Sequence, residues 1–134
     1  MIQFKSAYLG QLRNKVTHLK SETELITDAP TDNHGKGESF SPTDLVAVAL
    51  GTCMVTIMGI YSNKNGINMP LVNYETEKVM KSNPRAISKI RIHFKFEENN
   101  LTTDEQEQLK NAALSCPVAL SINPDIQQEI SFEF

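Results

Sequence analysis

Tryptophan is absent from the 134-residue chain, cysteine occurs twice, and glycine and proline occur six times each. Two cysteines are too few for a secreted disulfide framework, and so little glycine and proline excludes collagen-like or low-complexity architecture. Positive charge is not in excess either. The 13 Lys and Arg against 16 Asp and Glu give a net charge of -3, and the basic residues are scattered, so the footprint of a nucleic-acid or anionic-lipid partner is missing. The segment MIQFKSAYLG lacks the apolar core of a signal peptide. These absences predict a cytoplasmic protein with neither nucleic acid nor membrane as partner. In a reducing compartment, a cysteine pair that matters points to redox or metal chemistry, not to a permanent staple. With 40% hydrophobic and 22% charged residues, the composition is that of a globular protein, and the length predicts a single domain over residues 1–134.

What is present is one long, mostly apolar stretch, Phe40 to Tyr61, FSPTDLVAVALGTCMVTIMGIY. Its start carries helix-start chemistry: Ser41 as cap, Pro42 at the first helical position, and Asp44 three residues after Ser41, as in a capping box. No charge follows between Leu45 and Tyr61, and apolar residues fall on every side of the helical wheel. That pattern predicts a central helix surrounded by protein. A membrane span is disfavoured by Gly51, Thr52, Cys53, Thr56 and Gly59 within the run. Ala49, Thr52, Cys53 and Thr56 share a strip of small, weakly polar side chains at helical spacing.

Before this helix, Ile2 and Phe4 alternate with polar residues, Gly10 punctuates, and Leu12, Val16 and Leu19 return, which predicts an antiparallel hairpin, with Glu22 to Thr27 as a third strand. DAPTDNHGKGES, residues 28–39, is turn chemistry, and Asp28 and Asp32 suit side-chain to backbone turns. After the helix, Asn63 to Gly66 supply a glycine stop. Leu71 to Lys81 and Ala86 to Glu97 read as a long hairpin around Asn83-Pro84-Arg85, with Ile90, Ile92, Phe94 and Phe96 alternating. Thr102 and Thr103 start a second helix, acidic at its N-terminal end. Cys116-Pro117 interrupts it, VALSI forms a short third helix, and Ile130, Phe132 and Phe134 alternate as a last strand. The predicted order is βββ-α-ββ-α-α-β.

Five residues invite a metal, namely His18, His34, His93, Cys53 and Cys116, but no two show ligand spacing such as CxxC or HxxxH. No metal and no cofactor is expected. His18 and His93 read as cross-strand partners or exposed strand residues, and His34 as a solvated loop residue. Cys53 lies mid-helix, and Cys116 precedes a proline that opens a helix, where free N–H groups favour a thiolate. The plainer reading is that both are small buried hydrophobes. Arg13 reads as a strand arginine, either exposed or partnered with an anion or thiolate. Met54, Ile57 and Met58 fill core or wall an apolar pocket beside Cys53.

The segments SPTDLVAVALGTCMVTI and SCPVALSI resemble the two-cysteine signature of the OsmC family, the osmotically inducible and organic hydroperoxide resistance superfamily. YLGQLR, His18 and TDAPTDNHGKGESFSPTDL extend the likeness over nearly the whole chain, toward an OsmC-like branch. The resemblance implies an α+β OsmC-like fold with a long buried central helix and an intertwined homodimer. It implies a metal-free thiol peroxidase acting on organic hydroperoxides and reset by an external dithiol, with Cys53 in the peroxidatic position, Cys116 in the resolving one and Arg13 as the assisting arginine. One departure stands out. The hydroperoxide-resistance branch has a glutamate directly after the helix-start proline, which holds that arginine; here the position is Thr43, and the acid follows at Asp44. Two rivals are a non-catalytic protein of this fold binding a small hydrophobic molecule, and a thiol redox sensor.

Overall fold

The computed structural model describes all 134 residues. The elements run β1 (Phe4–Gly10), β2 (Arg13–His18), β3 (Glu24–Asp28), a 3-10 turn (Thr31–Asn33), α1 (Pro42–Asn65), β4 (Val72–Lys81), β5 (Ala86–Phe96), α2 (Thr103–Leu114), α3 (Pro117–Ser121) and β6 (Gln127–Glu133). Apart from the 3-10 turn, this is the predicted βββ-α-ββ-α-α-β order of an α+β chain. It divides into two compact units, Met1–Val46 and Ala47–Phe134, with α1 starting in the first and continuing in the second.

The first unit is an antiparallel sheet in the order β1-β2-β3. The β1–β2 turn uses left-handed backbone at Gly10, Gln11 and Leu12, and Glu22, also left-handed, ends the approach to β3, which starts at Glu24 instead of Glu22. Phe4 and His18 are register partners, their rings 5.6 Å apart. The loop after β3 returns to it through a parallel bridge between Thr27 and Phe40. Gly35 is required in that loop: a Cβ there would lie 1.7 Å from the Ala29 carbonyl oxygen. The large apolar side chains of β1 and its flanks, Ile2, Phe4, Tyr8 and Leu9, are exposed.

The capping box at the start of α1 closes in both directions. The Ser41 N–H donates to Asp44 Oδ2 at 2.8 Å, and the Asp44 N–H donates to Ser41 Oγ at 3.1 Å. At the other end Gly66 is left-handed and the Ile67 N–H donates to the Ser62 carbonyl at 3.0 Å, the six-to-one bond of a glycine-terminated helix.

The second unit is a sheet in the order β4-β5-β6, with β4–β5 antiparallel and β5–β6 parallel. Ile90, Ile92 and Phe94 on the central strand have no exposed surface, and Phe96 is buried beside them. The alternation in β5 puts these four on one face, and that face is the core. Tyr74, Phe94 and Phe132 lie in register across the three strands with ring centroids 5.2 and 5.5 Å apart, a cross-strand aromatic ladder. The opposite face is charged. Arg91 pairs with Glu77 and Glu129, and His93 bonds Ser131 and Glu133 through its two ring nitrogens, so His93 is the cross-strand partner its position predicts.

Within this single chain, protein covers only part of α1. Ala47, Leu50, Gly51, Met54, Met58 and Ser62 form one buried stripe, while Val48 (38% exposed), Thr52, Thr56 and Ile60 (44%) form a bare one. Position 51 brings α1 close to β4: a Cβ on Gly51 would stand 3.1 Å from the Tyr74 ring and 3.4 Å from Thr76 Oγ1. Gly51→Leu is therefore expected to destabilise the protein by about 1–3 kcal/mol through overpacking, larger than the roughly 1 kcal/mol regained in helix propensity. Urea unfolding midpoints check this, and a variant as stable as the parent would show that α1 does not seat on β4 at Gly51.

Candidate functional site

Both cysteines lie in the second unit as free thiols, Cys53 half-buried on α1 and Cys116 with no exposed surface. Cys53 sits beside the buried stripe, one position before Met54, so its helix seating leaves it partly open. Cys116 is placed by α2 and α3. Thr102 and Glu105 form a second reciprocal capping box at the start of α2, Leu109 and Ala113 bury its inner face completely, and Tyr61 on α1 donates through its hydroxyl to Gln108 Oε1 on α2 at 2.8 Å. Pro117 then forces a break, as a proline cannot accept a place in a helix interior. Cys116 becomes the N-cap of α3, its Sγ accepting from the Ala119 N–H at 3.3 Å. This folding sequence sets Cys53 near enough to Cys116 to act on the titration of its thiol.

The electrostatics of Cys116 run against the sequence expectation. Burial pushes its thiol up, the Ala119 N–H pulls it down, neighbouring Cys53 pushes it up again, and the Val118 N–H pulls it down. Burial prevails, so the N–H groups at the start of α3 do not make a resting thiolate; Cys116 is held as a thiol. The pair is thus asymmetric: Cys53 is half-buried, whereas Cys116 is sealed and protonated.

Met54 and Met58 are completely buried, whereas Ile57 is half-buried. The expected pocket wall is corrected accordingly: the two methionines lie in the buried stripe and fill core, and only Ile57, one turn from Cys53, retains open apolar surface. Ala49, one turn before Cys53, is also half-buried.

In the first unit, Arg13 stands opposite Asp28 in the β2–β3 register. Its guanidinium forks onto Asp28, Nε to Oδ1 at 2.7 Å and Nη2 to Oδ2 at 2.8 Å, and Nη2 also donates to Glu38 Oε2 at 2.7 Å. The Glu38 N–H donates to Asp28 Oδ2 at 3.1 Å. Asp28 is only 2% exposed, so besides the side-chain to backbone bond expected of it in this loop it is the buried anchor of an ion pair. Glu38 was not legible as a partner; its only signal is an acid in a glycine-rich loop that doubles back on β3. Among the histidines, His18 bonds Ser21 Oγ at 2.6 Å and His34 is exposed at the end of the 3-10 turn. No three His, Cys, Asp or Glu side chains are grouped to hold a metal ion.

The fork onto Arg13 holds the Asp28 carboxyl below the ordinary carboxylate range. A depressed folded-state pKa contributes stability that is present above the unfolded value, about 4, and is lost as pH falls through the folded one. Thermal melts from pH 7 down to pH 3 are therefore expected to show acid destabilisation that is shallower in Asp28→Asn, which starts less stable at pH 7. Parallel profiles for the two proteins would contradict this.

Residues 35–131 match the family model of OsmC-like proteins. A structure from Psychrobacter arcticus, described provisionally as an osmotic-stress-induced and detoxification response protein, is 45% identical over 99% of this chain and 96% of that one, with a TM-score of 0.93. The organic hydroperoxide resistance protein OsmC of Legionella pneumophila shares the fold at 18% identity over 100% and 98% of the two chains, TM-score 0.78. So does a Vibrio cholerae protein, assigned provisionally to organic hydroperoxide resistance and holding captopril in one of its active sites, at 18% identity over 98% and 92%, TM-score 0.70. No protein of curated function matches the chain. The match to the family model over most of the chain, with near-complete coverage of a 45% identical relative, leads to one conclusion: the chain belongs to the OsmC-like family.

Proposed function

We propose that this protein is a cytoplasmic thiol-dependent peroxidase that reduces organic hydroperoxides through a two-cysteine cycle. The family relationship points to a peroxide-resistance or redox role. The observation that carries the finer reading is the half-exposed Cys53 with the sealed Cys116 thiol beside it.

In the first step, the Cys53 thiolate attacks the O–O bond of the hydroperoxide. The sulfur takes one oxygen and becomes a sulfenic acid, and the alkoxide leaves with a proton as the alcohol. In the second, the Cys116 sulfur attacks the sulfenic sulfur; the S–S bond forms and hydroxide departs with the thiol proton as water. An external dithiol then reopens the disulfide by exchange, becoming oxidised as both protein thiols return. No cofactor enters this cycle. Arg13 is assigned the role of the assisting cation. With threonine at 43, Asp28 and Glu38 take over the task of holding it in β2. Ile57 and Ala49 flank Cys53 with apolar surface, which favours an alkyl tail; each methylene covered is worth about 0.8 kcal/mol.

The acting species in this reading is an intertwined homodimer. The bare stripe Val48, Thr52, Thr56, Ile60 on α1 and the exposed Ile2, Phe4, Tyr8 and Leu9 of the first unit are each more apolar than a solvated surface favours. A second reading, a non-catalytic binder of a small hydrophobic molecule, is favoured by the two carboxylates that already neutralise Arg13. Sustained peroxide consumption with a dithiol separates a peroxidase from both the binder and a redox sensor.

The two cysteines are expected to differ when replaced singly. Cys53→Ser abolishes the first oxidation, because a hydroxyl is far less nucleophilic than a thiolate at neutral pH, and leaves Cys116 reduced. Cys116→Ser permits that oxidation but strands Cys53 as a sulfenic acid, which excess peroxide carries on to sulfinic and sulfonic forms. In the parent protein the disulfide-forming step should accelerate as pH rises above 7, since the Cys116 thiol is held above its ordinary range. Peptide mass spectrometry with a sulfenic-acid trap reads all three outcomes. Rapid oxidation of Cys116 in Cys53→Ser would reverse the roles; no oxidation in any of the three proteins would leave the binding reading.

A further inference from the structure

Beside the Arg13 cluster, within the first unit, lies a cavity of about 290 Å³ lined by Leu9, Gly10, Gln11, Arg13 and Lys36. Two of its five lining residues are cations, and none is acidic. Arg13 commits Nε and Nη2 to Asp28 and Glu38, while Nη1 takes part in neither ion pair. The same bonds fix the guanidinium plane, so an added ligand at Nη1 meets a donor whose side-chain entropy is already spent. Lys36 Nζ donates at 2.6 Å to the side-chain oxygen of Gln11, a neutral acceptor. This leaves the Gln11 amide nitrogen as a third donor on the same wall.

We propose that this cavity binds a small monoanionic carboxylate, held between the Arg13 guanidinium and the Lys36 ammonium with its hydrocarbon part against Leu9. Charge balance selects the ligand. Arg13 and Lys36 are offset by Asp28 and Glu38, and Lys36 lies near enough to Asp28 to act on its carboxyl, so the cluster sums to zero. A single negative charge is accommodated by the donors, whereas a phosphate dianion meets the repulsion of two carboxylates without further cations to offset it. Glu38, which is exposed and shares Nη2 with Asp28, competes for the same guanidinium. Its removal frees a second donor and one unit of positive charge. The contacts are partly solvated, which sets the dissociation constant on the order of millimolar.

The inference does not depend on the thiol chemistry, because binding is read without peroxide. The full chain, reduced and at constant ionic strength, is titrated with butyrate, acetate and inorganic phosphate while amide and Arg Nε–H resonances are followed by NMR. Saturable shifts are expected at Gly10, Gln11, Arg13 and Lys36, with butyrate binding more tightly than acetate and acetate more tightly than phosphate. Glu38→Gln should tighten butyrate several-fold, and Lys36→Met should weaken it about tenfold. Both positions are exposed, and unchanged spectra elsewhere verify folding. Shifts that do not saturate, equal affinity in Lys36→Met, or phosphate binding as tightly as butyrate would each overturn the proposal.

Discussion

The seating of α1 on the second sheet is the constraint from which the rest of that unit follows. A helix with almost no charge along its length has no preferred side of its own, and the partner surface chooses one for it. That surface belongs to the second sheet, and β4 comes close at Gly51, where a Cβ would stand 3.1 Å from the Tyr74 ring. Once position 51 is fixed, helical geometry fixes the others. Leu50, Met54 and Met58 go inward, Val48, Thr52, Thr56 and Ile60 stay bare, and Cys53 falls on the border between the two. The half-exposure of Cys53 is therefore a consequence of packing, not of any property local to the cysteine.

Opposing effects meet at Cys116, and their balance gives the pair its asymmetry. The start of a helix offers free N–H groups that stabilise negative charge, and the Ala119 N–H does bond the sulfur. Complete burial acts in the other direction and is the larger effect. In the proposed cycle the half-buried Cys53 meets the oxidant, and the sealed, protonated Cys116 waits for an oxidised neighbour. In the first unit the balance differs, because Asp28 is buried together with a guanidinium fork that satisfies both carboxylate oxygens. Burial there also disfavours the charge, but the hydrogen bonds from Arg13 outweigh it.

Elements set by local rules were readable in the sequence. Ser41 with Asp44 and Thr102 with Glu105 close the capping boxes their spacing implies, Gly66 ends α1, and the alternation of Ile90, Ile92, Phe94 and Phe96 marks the buried face of β5. What was not readable depends on residues far apart in the chain. Nothing around Met54 distinguishes a core methionine from a pocket wall until the helix has a sheet to lie on. Asp28 looks like a loop residue until the β2–β3 register sets it opposite Arg13, and Glu38 joins them only because the loop from Ala29 folds back along β3. The order of elements came from the residue patterns, and the resemblance to the OsmC-like family supplied the roles expected of the two cysteines. It did not supply the carboxylates that hold Arg13, since the position where that branch carries glutamate is Thr43.

The central claim is that Cys53 and Cys116 act as one redox unit within a single chain. Its most direct measurement is intact mass together with thiol counting on the reduced parent protein after one equivalent of an alkyl hydroperoxide. The account predicts rapid, stoichiometric loss of both thiols, a product lighter by two hydrogens, and a single tryptic cross-link joining the Cys53 and Cys116 peptides, all reversed by a dithiol. Retention of both thiols, or a product that gains oxygen at one cysteine while the other stays free, would contradict it.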